Sequence, residues 1–296
     1  MLFCNANIAL ASELIKIGSG SVLESYYPVA LKLCAFIKKS NKGVMCDVVP
    51  TTGTVENLRL LKEGKIDLAI AQSDVALDAF RGTGMYSGQV PMTTLSQVLT
   101  LHDEIFTVIV KDSDHIKVFG DIDGKRISNG QPLSASSSTY ETLSKLYDFA
   151  TKPVDIELNH DEYATKFCSG EVDVLIVMTG HPSALVNHIA NGCEIDFVSI
   201  ERNKIDRIIH DNPAFKKTIL NKGLYPGISE DQNTIATSAI LVGTDKIKTD
   251  LLKNFLKYFN HHILEFKKST PTLHDLSDSH FMENFVLPPN HSVHSE

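Results

Sequence analysis

The 296-residue sequence predicts a two-lobed α/β protein in which two extended segments join the lobes. Short apolar strands alternate with amphipathic helices, the pattern of parallel sheets covered by helices. Two strand-like stretches without helix partners separate the units. The length also exceeds what a single hydrophobic core usually serves.

The units follow in order. Leu14-Ile15-Lys16-Ile17 reads as a strand, Gly18-Ser19-Gly20-Ser21 as a flexible loop, and residues 26–39 as an amphipathic helix. Residues 46–49 form the next strand, Pro50-Thr51-Thr52-Gly53-Thr54 its loop, and Leu58, Leu60 and Leu61 mark the helix. The strand at 67–71 runs into Gln72-Ser73-Asp74 and a third helix. Arg126-Ile127-Ser128 leads into the polar loop 129–139 and a helix carrying Tyr140, Leu143 and Leu146. The strand at 172–177 meets Met178-Thr179-Gly180-His181-Pro182 and a helix through Ala184 and Ile189. The unaccompanied stretches are 99–110 and 234–242, and a last helix is expected over 247–266. This order makes one lobe discontinuous: residues 12–108 and 235–296 enclose a second lobe at 109–234. Two crossings between lobes suit a clamshell closing on a ligand.

Composition mainly excludes. The net charge is −8, with 36 acidic against 28 basic residues and no basic stripe, so nucleic acid is not an expected partner. No apolar run is long enough to cross a bilayer. The Gly18-Ser19-Gly20 loop has Leu23 at the third glycine position, so the dinucleotide fingerprint fails. No Walker loop, His-Glu-x-x-His or Gly-x-Ser-x-Gly motif occurs, and no cofactor or metal is expected.

Ala9-Leu10-Ala11 fits a signal-peptidase site, although a basic start and most of an apolar run are missing. A signal-peptide remnant over residues 1–11 and a ragged first strand are the two readings. Without those residues, five cysteines become four: Cys34 with Cys46, and Cys168 with Cys193, one local pair in each half. Paired cysteines suit an oxidising compartment, while four buried thiols in a cytosolic protein is the competing reading.

Every one of the five strand ends carries Ser, Thr, Asn, Gln or Gly ahead of a helix. Ligands of open α/β sheets bind beyond such ends, and helix-start N–H groups favour an anion. Helix capping explains one such residue per helix but not runs of several. Tyr26 is a candidate to cover a ligand's apolar part. Asp74 reads as a helix cap or an acid–base group, and His181 as a ligand contact. The histidines at 261, 262, 280, 291 and 294 read as solvated. The loops are rich in hydrogen-bonding groups and poor in reactive ones, which is the chemistry of a binder.

Ile17-Gly18-Ser19-Gly20-Ser21 with Tyr26-Tyr27-Pro28, Thr51-Thr52-Gly53-Thr54-Val55-Glu56-Asn57 and Ala71-Gln72-Ser73-Asp74 resemble the TAXI family of TRAP-transporter receptors. Gly124-Lys125-Arg126-Ile127, Thr179-Gly180-His181-Pro182, Asp211-Asn212-Pro213 and Tyr225-Pro226-Gly227 continue the resemblance in order over residues 14–290. It implies a type II periplasmic-binding-protein fold and two disulfides, Cys34 with Cys46 and Cys168 with Cys193. It also implies export to the periplasm, where a monomer would deliver a small organic acid or amino acid to TRAP permease subunits. Glutamate, glutamine and 2-oxoglutarate are the implied kinds of ligand. By the same resemblance, Gly20, Ser21, Tyr26, Thr52, Gly53, Gln72 and Ser73 would line one side of the cleft. Asn129, Ser134, Ser136, Thr139, Thr179 and His181 would line the other. The family commonly reads Gly-Ser-Gly-Thr-Arg where this chain has Leu133-Ser134-Ala135-Ser136-Ser137. Losing that arginine fork weakens the case for a doubly charged ligand. An enzyme on the same scaffold, using Asp74 or His181, is the alternative.

Overall fold

The computed structural model describes residues 13–22, 25–132 and 134–292. The expected signal-peptide remnant, with Cys4, lies outside them.

The first half alternates β1 (Glu13–Gly18), α1 (Tyr26–Ser40), β2 (Val44–Val49), α2 (Thr54–Lys62), β3 (Leu68–Gln72) and α3 (Ser73–Arg81). The long β4 (Ser96–Lys111) leads into β5 (Arg126–Ser128), α4 (Ala135–Ser144), β6 (Val154–Asp155), α5 (Tyr163–Ser169), β7 (Val174–Thr179) and α6 (Ala184–Gly192). Then come β8 (Ile195–Phe197), α7 (Arg202–Asp211), β9 (Lys216–Leu220), the long β10 (Gln232–Gly243), α8 (Thr249–His261) and α9 (Ile263–Lys267).

All ten strands belong to one curled sheet, in the order β2-β1-β3-β10-β4-β7-β5-β6, with β8 on β4 and β9 on β10. Pairing is parallel within β1–β2–β3 and within β5–β6–β7, whereas β4 and β10 run antiparallel to each other and to their neighbours. Each long strand serves both halves. On β4, residues 96–100 pair with the end of β10 and residues 105–110 with β7. On β10, Ala239–Gly243 pair with β3 and Gln232–Ala236 with β9. A register irregularity falls between Ser238 and Ile240, at the changeover. A second falls between Leu241 and Val242, and such irregularities bend a strand locally.

Strand alternation explains the packing, because successive side chains point to opposite faces. Leu68 and Ile70 of β3 pack with α1 and α8, while Ala69 and Ala71 pack with α2 and α3. On β7, Val174, Ile176 and Met178 pack with α4 and α7, while Leu175 and Val177 pack with α5 and α6. Each half is therefore a helix–sheet–helix layer. In α1, Val29, Leu33, Phe36 and Ile37 recur at helical spacing and are wholly buried. Each contributes roughly 2 kcal/mol of burial.

The helix expected over 247–266 is two helices. The His262 N–H bonds to Phe259 O three residues back, and its backbone (φ −125°, ψ 22°) leaves the α-helical ladder. Its ring stacks on Tyr258, with centroids 3.8 Å apart. Cys34 is bonded to Cys46 and Cys168 to Cys193, one bridge in each half. No helix among the described residues is long and apolar enough to span a membrane.

Candidate functional site

The loops following β1 and β2 are bound to strand β3 through one side chain. Asn57, buried in α2, donates from Nδ2 to Ser19 O (2.5 Å) and Ile70 O (2.8 Å), and its Oδ1 accepts from Thr51 Oγ1 (2.8 Å). Thr51 N completes the tie to Gly20 O, at 3.4 Å. Sequence reasoning missed Asn57, although it stands inside the quoted family motif. Its signal was an Asn on the inner face of an amphipathic helix, beside Leu58 and Leu61. Thr54 Oγ1 accepts the Gln72 N–H at 2.9 Å, which anchors the end of β3 to the start of α2. Gly53 holds φ 111°, ψ −153°, a backbone conformation that only glycine adopts readily. Thr52 is exposed, and both its N–H and its hydroxyl bond to Glu56 Oε2, at 2.8 and 3.0 Å. Ser21 is partly buried.

Beyond β3, Gln72 is wholly buried and is the N-cap residue of α3. Asp74 lies inside the first turn instead of at the cap; its carboxylate accepts from Val75 N–H and from Gln72 Nε2 at 2.6 Å. Burial raises its pKa to about 6, against the lowering effect of those bonds. Ser73 Oγ accepts from Ser238 N on β10, at 3.1 Å.

In the second half, helix caps and one imidazole do the corresponding work. Ser134 Oγ caps α4 by accepting from Ser137 N, and Ser183 Oγ caps α6 by accepting from Val186 N. Ser136 Oγ accepts from Met178 N at 2.8 Å, joining α4 to β7. Thr179 Oγ1 lies 3.4 Å from Ser183 Oγ. His181 has both ring nitrogens engaged, Nδ1 with Tyr225 OH (2.6 Å) and Nε2 with Thr107 Oγ1 (2.8 Å). Thr107 Oγ1 donates its own proton to Ile105 O at 3.1 Å, so Nε2 carries the imidazole proton, and with burial favouring the uncharged ring Nδ1 accepts from Tyr225 OH. The ring is therefore neutral, and burial pushes its pKa down to about 4.

Several sequence expectations shift. The Tyr26 hydroxyl donates to Glu104 Oε2 of β4 at 2.6 Å, so it is directed to the crossing strand. His280, expected to be solvated, is half-buried and donates from Nε2 to Leu101 O at 2.6 Å. His102, which the sequence hid inside an apolar strand, is wholly buried, lies 3.1 Å from Ser25 Oγ and has its pKa lowered to about 4 by desolvation.

The two halves meet directly. Gln72 Nε2 approaches Thr139 Oγ1 of α4 at 3.3 Å. Gly180 packs so closely on the first half that an added Cβ would lie 2.8 Å from Thr272 Cγ2 and 2.9 Å from His102 Cδ2. At the ends of β3 and β5 and on β10, Gln72 Oε1, Ser128 Oγ, Asn129 Oδ1 and Thr237 Oγ1 are buried without partners. Such atoms are costly unless something else satisfies them. An open groove of 440 Å³ beside Glu13, Asn41 and Asp250 lies at the opposite end of β1 from the loops. Among the described residues no cluster of ligating side chains could hold a metal.

The chain resembles solved structures with the same architecture. It is similar to the substrate-binding protein of an amino acid ABC transporter, with 14% identity, TM-score 0.51, and 86% of this chain covering 96% of that one. An ancestral arginine-binding protein bound to glutamine matches at 15% identity and TM-score 0.52, over 86% of this chain and 95% of the other. A protein described as a putative L-cystine ABC transporter from Listeria monocytogenes matches at 13% identity and TM-score 0.51, over 87% and 94%. These likenesses establish a type II periplasmic-binding-protein fold. The description of the NMT1-like family matches residues 17–292, and the chain belongs to that family.

Proposed function

We propose that the protein is an extracytoplasmic solute receptor that captures a small amino acid or organic acid between its lobes and delivers it to a TRAP-type permease. The observation that carries this reading is the set of buried, unpartnered polar atoms at the ends of β3 and β5 and on β10, together with the Gln72–Thr139 contact at the seam between the halves. A binding cleft needs such open valences; a finished protein interior does not. The lobes would be 12–108 with 235–296, and 109–234, turning about the crossing strands near the irregularity at Ser238–Ile240. The paired cysteines support export, and the family resemblance supports the TRAP partner. Seven of the thirteen loop residues proposed from that resemblance fall into two roles. Gln72, Asn129 and Thr139 would face ligand, while Thr52, Ser134, Ser136 and His181 would hold the loops in place.

An enzyme reading has one observation in its favour, the raised pKa of Asp74. His181 supports it poorly, being neutral with both nitrogens engaged. Incubating the protein with compounds that raise its melting temperature, then recovering them, separates the two. A receptor returns each compound unchanged. Turnover abolished by Asp74→Asn would sink the receptor reading.

A further inference from the structure

Two amides, one from each half, stand at the carboxyl ends of β3 and β5, and in each case a carboxylate sets the orientation. Gln72 directs its Nε2 to Asp74 Oδ1, leaving Oε1 buried and unpaired. Asn129 directs its Nδ2 to Asp155 Oδ2 at 3.4 Å, leaving Oδ1 buried and unpaired. A flipped amide would set its carbonyl against a carboxylate, so neither can turn without losing a bond and gaining repulsion. Asp155 also accepts the Asn129 backbone N–H, which holds it in place. The unpaired atoms are carbonyl oxygens, which accept and cannot donate. Among the described residues the buried polar side chains include Asp74 and Glu104 but no Lys or Arg. Lys216 of β9, beside β10, is paired with Asp103 of β4 at 2.5 Å.

We propose that the seam selects its ligand by an N–H donor, a protonated amine, held between the carbonyl oxygens of Gln72 and Asn129. The ligand class is then a small amino compound, and keto acids and simple dicarboxylates are rejected. This rests on the receptor reading above and narrows it. A carboxylate on the same ligand has to be held by loop amides and hydroxyls.

Calorimetric titration and thermal shift of the full chain against matched pairs test this, each amino acid with its own 2-oxo acid, plus succinate and glutarate. Each pair differs only at the position of the amine. The tightest ligand is expected to be an amine binding at least about tenfold better than its 2-oxo partner, the effect of one hydrogen bond to a charged group in a buried site. A 2-oxo acid or dicarboxylate binding as tightly as the best amine overturns the donor rule and leaves the receptor reading standing. Silence across the whole set overturns both. Gln72→Met removes one carbonyl, and Asp155→Ala frees Asn129 to turn; each should bring the amine preference down toward unity while the free protein still melts cooperatively. An unchanged preference in both variants overturns the assignment to these two residues.

Discussion

The two walls of the seam solve one problem by different means. In the first wall a single buried amide, Asn57, ties two loops to strand β3 through three hydrogen bonds of 2.5–2.8 Å. In the second, separate devices do so: two serine caps, the Ser136 bond to β7, and the imidazole between Thr107 and Tyr225. Their titratable groups also differ in kind. The first wall buries an acid, Asp74, and the second buries a neutral base, His181. The first wall is therefore vulnerable at one point, and the second yields in parts.

The largest test of that contrast is Asn57→Ala. It removes one hydrogen bond each from Ser19 O, Ile70 O and Thr51 Oγ1, while Thr51 Oγ1 keeps its bond to Ser19 O, and should cost about 3 kcal/mol in denaturant unfolding. Ser136→Ala in the second wall strands a single N–H and should cost about 1–2 kcal/mol by the same measurement. Equal losses would show that the first wall has no such keystone.

The buried acid and base should give opposite pH slopes. Asp74 has a folded pKa raised to about 6, so the fold holds its proton where the unfolded chain does not. Its contribution is fully present in acid and falls as pH rises from about 4 to about 6. Asp74→Asn should consequently gain up to about 3 kcal/mol at pH 7 and abolish that slope. His181, lowered to about 4, works the other way. Its contribution is complete above about pH 6.5 and is lost as pH falls toward 4, by up to about 3 kcal/mol. His181→Gln should remove its share of this acid limb and leave that of His102, whose pKa burial likewise lowers to about 4. Melting curves from pH 4 to 8 on the two variants check both signs.

The smallest effect is expected where the walls touch. Gly180→Val places methyl groups against Thr272 and His102, where even a Cβ is too close. It should hold the lobes apart and weaken ligand about tenfold while hardly changing the melting temperature of the free protein. A large drop in the unliganded melting temperature would instead make Gly180 a packing residue of one lobe.

Much of the frame was legible in the sequence because periodicity records it. The strand–loop–helix units and both crossings stand out as runs of Val, Ile and Leu with Ser- and Thr-rich ends. Short elements such as β6, β8 and β9 were not visible, since two to five residues carry no period and their pairing is decided by distant strands. The expected cap at Asp74 gave way to Gln72, because a one-residue offset in a helix start depends on where β3 ends. His102 and Asn57 escaped notice for a shared reason. A lone polar residue in an apolar pattern reveals burial but not which partners lie across the fold. The unpaired carbonyls of Gln72 and Asn129 were likewise beyond reach, because the direction of an amide is set by the carboxylate beside it.

Native mass spectrometry of the protein purified without added ligand tests the central claim most directly. The account predicts one small amino compound per chain, released unchanged on denaturation and absent from the Gln72→Met variant. A chain that holds no such compound and converts added amino acids to a new mass would contradict it.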